Sequence, residues 1–298
     1  WVLLISLQTR NPFVGNGGDT LLRLLLFWAM FLPLGHRWSI DNMLYSSPSR
    51  RHEDKICSVA SATILFQLCF MYWFTGMAKM TSAVWQQGIG LHYAFSLQQF
   101  VSPLGQYFYV HYPQILQSRW LGLSVPFLQL IGPLLVFSPF WTKQIRLVAI
   151  VIFGVFHLAI ALMFYAYFFS SVSWVGWILF LPDIFWNKLF SGPTAERVRD
   201  LFTSLAERIK SPLLRGRPYS PYQSLDSGPL SQSQARIPFF KFKNSVLTNA
   251  ICFFFLCYVF LWNIKKLEEL QKRKFPYFPH QWEWIGRVTH IHQSWKMF

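Results

Sequence analysis

The 298-residue chain has the composition of an integral membrane protein rather than of a soluble one. Hydrophobic residues make up 53% of it, aromatic residues 19% and charged residues 13%, where charged residues are about a quarter of an average soluble domain. The net charge of +15 would suggest nucleic-acid binding in a soluble domain. In a membrane protein basic residues collect in cytoplasmic loops and set the orientation, so we expect the lipid bilayer and no nucleic acid as partner.

Six apolar blocks follow an apolar run at Trp1–Leu7. A bilayer core roughly 30 Å thick needs about 20 helical residues, so each block is a candidate membrane span. The blocks are Leu21–Gly35, Ser58–Ala78, Trp120–Phe137, Leu147–Phe169, Trp174–Phe190 and Val246–Trp262. We therefore predict an all-α, polytopic transmembrane bundle with about six spans plus a partial N-terminal one. The candidate turn between the fourth and fifth blocks is Ala166–Ser173.

Along the chain, loops that are rich in basic residues alternate with loops that are poor in them. The loops His36–Cys57 and Ser138–Arg146 and the segment after Phe190 are rich in Lys and Arg, whereas Lys79–Arg119 has them only at its two ends. The positive-inside rule predicts that the basic loops are cytoplasmic and that Lys79–Arg119 is extracytoplasmic. The basic residues after Trp262 do not fit this alternation, although a downstream domain can translocate despite its charge.

Four regions follow from these patterns. Residues 1–190 form a transmembrane helical domain, and residues 191–245 a cytoplasmic segment with an amphipathic helix at Ala195–Lys210 and a flexible Pro/Ser-rich linker at Ser211–Arg236. Residues 246–264 form the last transmembrane helix. Residues 265–298 begin an extracytoplasmic region that we expect to be truncated, the chain being a fragment of a longer protein. The Gly-rich stretch Gly15–Asp19 is interpreted as a turn that enters the next helix.

Ionisable residues inside spans are costly in lipid, so each of them is a functional hypothesis. Lys79, at the extracytoplasmic end of the second span, has two interpretations. It is either a snorkelling lysine that marks the membrane boundary, or a desolvated amine whose neutral form acts as a base. Arg23 is expected to pair with Asp19, one helical turn before it.

His157 lies near the middle of the fourth block and is either hydrogen-bonded to a neighbouring helix or functional. The functional interpretations are a proton relay, a hydrogen bond to substrate, or a metal ligand. We expect no metal, because no H-E-x-x-H motif or carboxylate cluster is present. His36 opens an interfacial segment, to which spacing alone assigns no chemistry.

A series of short motifs runs in order along the chain: Arg10-Asn11-Pro12, Gly17-Gly18-Asp19, Trp38-Ser39-Ile40-Asp41, Tyr72-Trp73-Phe74-Thr75-Gly76 with Lys79 and Trp85, Phe156-His157-Leu158, and Gln293-Ser294-Trp295. This series resembles the horizontally transferred transmembrane domain, the membrane region shared with vitamin K-dependent gamma-glutamyl carboxylase. The resemblance extends over nearly the whole chain except Ser191–Phe240.

The resemblance implies a quinone-dependent carboxylase, classed as a lyase, that acts on glutamate in an exported or lumenal peptide. Its cofactor would be vitamin K hydroquinone or a related reduced quinone. Lys79 matches the lysine that deprotonates the hydroquinone, and His157 and His36 match histidines of the family. The chain departs from the carboxylase at Gly35, where the carboxylase has asparagine, and at Ala78, where it has a second lysine.

Two functions remain open from the sequence. The first is this carboxylase-like enzyme, with Lys79 as base and His157 and His36 holding substrate. The alternative is a non-carboxylating membrane scaffold for the maturation of, or immunity to, an exported peptide. A transporter is less well supported, because no inverted repeat is visible in the sequence.

Overall fold

The computed structural model describes residues 1–11, 15–34, 58–190, 246–270 and 278–295, together with residue 192 and isolated positions between 197 and 208. Within these ranges the chain is helical, without a β-strand and with one isolated antiparallel bridge between Val101 and Phe164. The all-α prediction is confirmed for this part of the chain.

Thirteen α-helices and one 3₁₀ turn are defined over these residues. They are α1 Val2–Arg10, α2 Gly17–Ala29, α3 Val59–Met80, α4 Ala83–Gln86, α5 Gly90–Ser96, α6 Pro103–His111, α7 Pro113–Leu116, α8 Arg119–Leu135, α9 Thr142–Met163, α10 Tyr167–Ile178, α11 Asp183–Phe190, α12 Val246–Leu270, the 3₁₀ turn His280–Trp282 and α13 Glu283–Val288.

Three of the described helices are long and apolar enough to cross a membrane. They are α3, α9 and the segment Val246–Leu267 of α12, each with 22 residues. The first and third predicted blocks overlap shorter helices, α2 with 13 residues and α8 with 17. The fifth block, Trp174–Phe190, is divided between the end of α10 and α11. Membrane-spanning helices are therefore supported at three of the six predicted blocks.

The break between the fourth and fifth blocks is shorter than the predicted turn. Helix α9 ends at Met163 and α10 begins at Tyr167, so most of Ala166–Ser173 is helical. Phe164 is extended, with φ −132° and ψ 153°, and the N–H of Tyr165 donates to the carbonyl of Phe100 at 2.8 Å. This pairing with another part of the chain ends α9, which explains why local composition misplaced the turn.

The Gly-rich stretch Gly15–Asp19 is the start of α2 rather than a turn before it, because the helix begins at Gly17 and is capped by Asn16. The side-chain oxygen of Asn16 accepts from the N–H groups of Gly18 and Asp19, while the carboxylate of Asp19 accepts from the N–H of Asn16 at 2.9 Å. These bonds satisfy donors that a helix start otherwise leaves unpaired.

The molecule divides into two units that are described separately. The first comprises residues 1–32, 57–183 and 246–298, and the second residues 33–56 and 184–245. In the second unit the described residues include most of α11 and six helical positions within the predicted amphipathic helix: Arg197, Asp200, Leu201, Ser204, Leu205 and Arg208. Leu201 and Leu205 are exposed. The linker Ser211–Arg236 lies outside the described residues.

Helix α3 is the centre of the first unit and packs against α2, α8, α10 and α12. Leu68, Met71 and Tyr72 on this helix are almost fully buried. Helix α12 runs parallel to α3, since Phe74 and Ala78 share a small cleft with Asn263 and Leu267.

At one end of the first unit, some helices begin and others end. Gly18, at the start of α2, lies against Phe169, near the start of α10. Gly88 comes just after α4, eight residues beyond the end of α3, and it lies against Gly122 near the start of α8. Ser102 donates from its N–H to the carbonyl of Met163, the last residue of α9, at 2.9 Å. The starts of α2, α8 and α10 therefore lie at the same end as the ends of α3 and α9.

Residues 81–118, which we call the cap layer, cover this end. They were expected as a loop, and they instead form the four short helices α4 to α7. A separate small hydrophobic core, which includes Phe95, Val101, Leu116 and Phe164, holds the layer together and attaches it to the end of α9.

The C-terminal residues 278–295 pack back onto α12 and its neighbours. The hydroxyl of Tyr258 donates to the carbonyl of Trp282 and accepts from the N–H of Gly286. Glu283 pairs with Lys265 and, at 2.8 Å, with Arg287. Lys265 is one of the basic residues that did not fit the charge alternation, and here its charge is neutralised within the protein.

Replacing Gly122 by Ala should destabilise the protein. A Cβ at this position would lie 1.7 Å from the carbonyl oxygen of Gly88, so the backbone of one of the two segments would have to shift. We expect a loss of about 1–3 kcal/mol in the free energy of unfolding, the usual cost of overpacking. Thermal unfolding of the purified protein in detergent measures it.

Gly154→Ala in α9 is the matched control. Its Cβ would meet only Trp174, at 3.9 Å, so the variant should melt at or above the temperature of the wild type. Equal melting temperatures for both glycine variants would contradict the close approach of α8 to Gly88.

The Glu283 ion pairs should make stability depend on acidic pH. The hydrogen bond from Lys265 holds the pKa of Glu283 below its usual value. The stabilisation is therefore fully present above the ordinary glutamate pKa of about 4.3 and is lost as the pH falls through the lower value of the folded protein. At pH 7 the melting temperature of the wild type should be higher than that of Glu283→Gln. The difference between the two melting temperatures should become smaller as the pH falls below about 4. A gap that stays constant with pH would show that the carboxylate charge does not contribute.

Candidate functional site

His157 lies at the centre of a buried polar cluster between α3, α9 and α10. The side chain has no exposed surface, and its Nε2 lies 2.5 Å from the hydroxyl of Tyr72 on α3. The indole Nε1 of Trp177 on α10 donates to the same hydroxyl oxygen at 2.8 Å. We assign the proton of Tyr72 to the bond with His157, because Trp177 can only donate; Nδ1 then carries the ring proton of a neutral His157.

Helix α10 turns a polar face towards this cluster. Ser170, Ser173 and Trp177 are separated by three and four residues, so they lie on one side of the helix, and all three are buried. Nδ1 of His157 and the hydroxyl of Ser170 are buried without a hydrogen-bond partner among the described residues. These two groups are available to hold a polar atom of a ligand.

Aromatic rings enclose the cluster and fix the orientation of its members. Phe153 stacks on Trp177, with ring centroids 4.3 Å apart, and lies 4.5 Å from the ring of Tyr72. Phe169 meets the ring of His157 edge-on at 5.4 Å. The surroundings are therefore apolar apart from a few directed hydrogen-bonding groups, as is typical of small-molecule sites.

Lys79 lies in the last turn of α3, beneath the cap layer. Its side chain is only 6% exposed, and Nζ lies 5.2 Å from the ring centroid of Trp85 in α4. A snorkelling lysine would place its amine at the surface, so this burial favours the interpretation as a desolvated amine. Lys79 follows Tyr72 by seven residues, which is about two helical turns and about 10 Å along the same face of α3.

The predicted site residues are thus only partly brought together. His157 contacts α3 at Tyr72, and Lys79 lies further along that same face. His36, the third predicted residue, lies outside the described residues.

Arg23 interacts electrostatically with Asp19, as expected, but its hydrogen bonds go to other partners. The guanidinium of Arg23 donates to Oε1 of Gln8 at 2.6 Å and to the carbonyl of His292 at 3.1 Å. The carboxylate of Asp19 is engaged in capping α2. Arg23 therefore has a structural role, as the sequence suggested, but it connects α2 to α1 and to the C-terminal segment.

A second buried network was not foreseen from the sequence. Gln67 on α3 accepts from Nε1 of Trp28 at 3.2 Å and donates to Oε1 of Gln293 at 2.9 Å. Gln293 also accepts from the indoles of Trp295 and Trp262, at 2.7 Å and 3.0 Å. Gln67 could have been noticed as a strongly polar amide within an apolar block. Its partner lies 226 residues away, and no local signal connects the two.

Comparison of the chain with protein-family models, with curated proteins and with solved structures found no match. The resemblance to the carboxylase membrane region therefore rests on the ordered motifs alone. Within the described ranges, no group of three or more His, Cys, Asp or Glu side chains lies close enough together to hold a metal ion.

Tyr72→Phe should destabilise the first unit. The variant leaves the indole N–H of Trp177 and the ring nitrogen of His157 buried without their common partner. Each unpaired buried group costs about 1–3 kcal/mol, so a clear drop in melting temperature is expected. Thermal unfolding in detergent measures it, with the exposed Tyr107→Phe as the control. If Tyr72→Phe has the same melting temperature as the wild type, the cluster does not stabilise the packing of α3, α9 and α10.

Proposed function

We propose that the chain is a multi-pass membrane protein related to vitamin K-dependent gamma-glutamyl carboxylase, in which Lys79 is the base of a quinone-dependent carboxylation of peptide glutamate. The observation that carries the proposal is the burial of Lys79 against Trp85 at the end of a membrane-length helix. A general base for a weakly acidic hydroxyl must be available in its neutral form, and an apolar environment favours that form of an amine.

The direction of the helices supports six passes. Starts and ends of α2, α3, α8, α9 and α10 alternate at the cap-layer end, and α12 runs parallel to α3. In our proposal α2, α8 and the α10–α11 pair also cross the membrane. The cap layer is extracytoplasmic, while the basic residues of the loops 36–57, 138–146 and 191–245 are cytoplasmic.

The residues around Lys79 and His157 fit a reduced quinone. The buried Nδ1 of His157 and the hydroxyl of Ser170 have no partner among the described residues, and aromatic rings pack around His157 and Tyr72. A reduced quinone, when bound, would react with oxygen and so supply the strong base that removes a γ proton from glutamate. Nζ of Lys79 accepts a proton from a phenolic hydroxyl, and Trp85 and the cap layer keep water from the amine. His157 orients a polar group by a hydrogen bond, and His36 is proposed to assist from outside the described ranges.

Replacing Lys79 by Ala should abolish carboxylation. The purified protein in lipid nanodiscs is given reduced vitamin K, oxygen, labelled carbon dioxide and glutamate-containing peptides, and label fixed into peptide is counted. General-base catalysis contributes about 10²–10⁴-fold to a reaction rate. The carboxylation rate of Lys79→Ala should therefore be at least 100-fold below that of the wild type. Lys143→Ala, which removes an exposed lysine from the first turn of α9, should retain the activity of the wild type.

Two outcomes would contradict this assignment. Full activity of Lys79→Ala beside an active wild type would show that another group is the base. An inactive wild type with all peptides, together with retained peptide binding, would favour the non-carboxylating scaffold for an exported peptide.

A further inference from the structure

The cap layer contains none of the four residue types that are charged at neutral pH. Between Met80 and Ser118 the sequence contains no Asp, Glu, Lys or Arg, although such residues make up 13% of the whole chain. A protein surface that faces water normally carries about 25–35% of these residues. The outer face of this layer is therefore unlike a surface built for water.

The exposed residues of the layer combine large apolar and aromatic side chains with uncharged polar ones, most of them glutamines. Five large side chains of the layer are between 49% and 68% exposed: Tyr93, Phe100, Tyr107, Val110 and Ile115. The layer already has a hydrophobic core of its own on the inside. Its outer side thus exposes large apolar side chains between uncharged polar groups, a composition that suits contact with the lipid interface.

The layer is continuous with a surface that faces lipid. It is bonded to the end of α9 through the N–H of Ser102, which donates to the carbonyl of Met163, and through the N–H of Tyr165, which donates to the carbonyl of Phe100. Helix α9 is the most apolar of the membrane-length helices, and most of its side chains lie at the surface of the protein. Val155 and Leu162 are 61% and 48% exposed. The exposed face of the layer thus begins where the lipid-facing side of α9 ends.

We propose that the cap layer lies within the membrane interface on the Lys79 side, with its exposed aromatic rings among the lipid headgroups and its apolar side chains at the edge of the hydrocarbon. Tyrosine and tryptophan are enriched at this depth, because their rings are apolar while their polar atoms remain hydrated. Short helices with one apolar face lie in the plane of the interface in the same way. This inference rests on the membrane-spanning topology proposed above, and it does not depend on carboxylation.

Nitroxide labels test the depth of the layer. Single cysteines are introduced at Tyr107 and Val110 in a background without the four native cysteines, and the labelled protein is reconstituted into phosphatidylcholine vesicles. Val155→Cys on α9 is the lipid control, and Gln281→Cys, an exposed position in the C-terminal segment, is the water control. Relaxation of each label by oxygen, which concentrates in lipid, is compared with relaxation by a water-soluble nickel chelate.

The ratio of oxygen to nickel relaxation at Tyr107 and Val110 should lie between the two controls, clearly above that at Gln281 and below that at Val155. A ratio equal to that at Gln281 would place the layer in water and overturn the proposal. Dipolar broadening between labels, lost on dilution with unlabelled protein, would show that the face binds a second copy of the chain and would also overturn it. Gel filtration and the melting temperature establish that each labelled variant is folded. The carboxylation assay is independent of these readings, so failure of one proposal is distinguishable from failure of the other.

Discussion

Inside a bilayer there is no water to satisfy a polar side chain, so each polar group on a spanning helix needs a partner within the protein. Thr63 and Thr75 on helix α3 bond to carbonyls of their own helix, whereas the larger buried polar side chains Gln67, Tyr72 and Lys79 extend towards other elements. Three helices supply partners to these larger groups: α2 bonds to Gln67, and α9 and α10 bond to Tyr72. These bonds join α3 to helices on both of its sides.

The positions of Gln67, Tyr72 and Lys79 along α3 separate two sides of the first unit. With 100° of rotation per residue, Tyr72 lies about 140° around the helix from Gln67, whereas Lys79 lies almost directly above Tyr72. Gln67 binds Trp28 of α2 and Gln293 of the C-terminal segment. Tyr72 binds His157 of α9 and Trp177 of α10. One side of α3 thus holds a structural network, and the other carries the candidate site, whose remaining groups are open to a ligand.

Much of this fold could be predicted from the sequence, because apolarity over a sufficient length is a local property. Three of the six apolar blocks coincide with membrane-length helices, and the rule that ionisable residues in spans are informative selected Lys79 and His157, both of which are buried. What was missed depends on distant contacts. The break after Met163 lies in continuous apolar sequence and is set by pairing with Phe100 and Val101. Tyr72 and Trp177 were not selected as polar partners, since a hydropathy pattern reads them as aromatic packing residues.

The account depends most directly on the sidedness of the Lys79 end. Single cysteines at Gln86, an exposed residue of α4 next to Lys79, and at Ser224 in the basic linker can be treated with a membrane-impermeant maleimide in intact cells and after permeabilisation. The account predicts labelling of Gln86→Cys in intact cells and labelling of Ser224→Cys only after permeabilisation. Labelling of both positions from the same side would contradict the six-pass arrangement and, with it, the placement of Lys79 at the extracytoplasmic face.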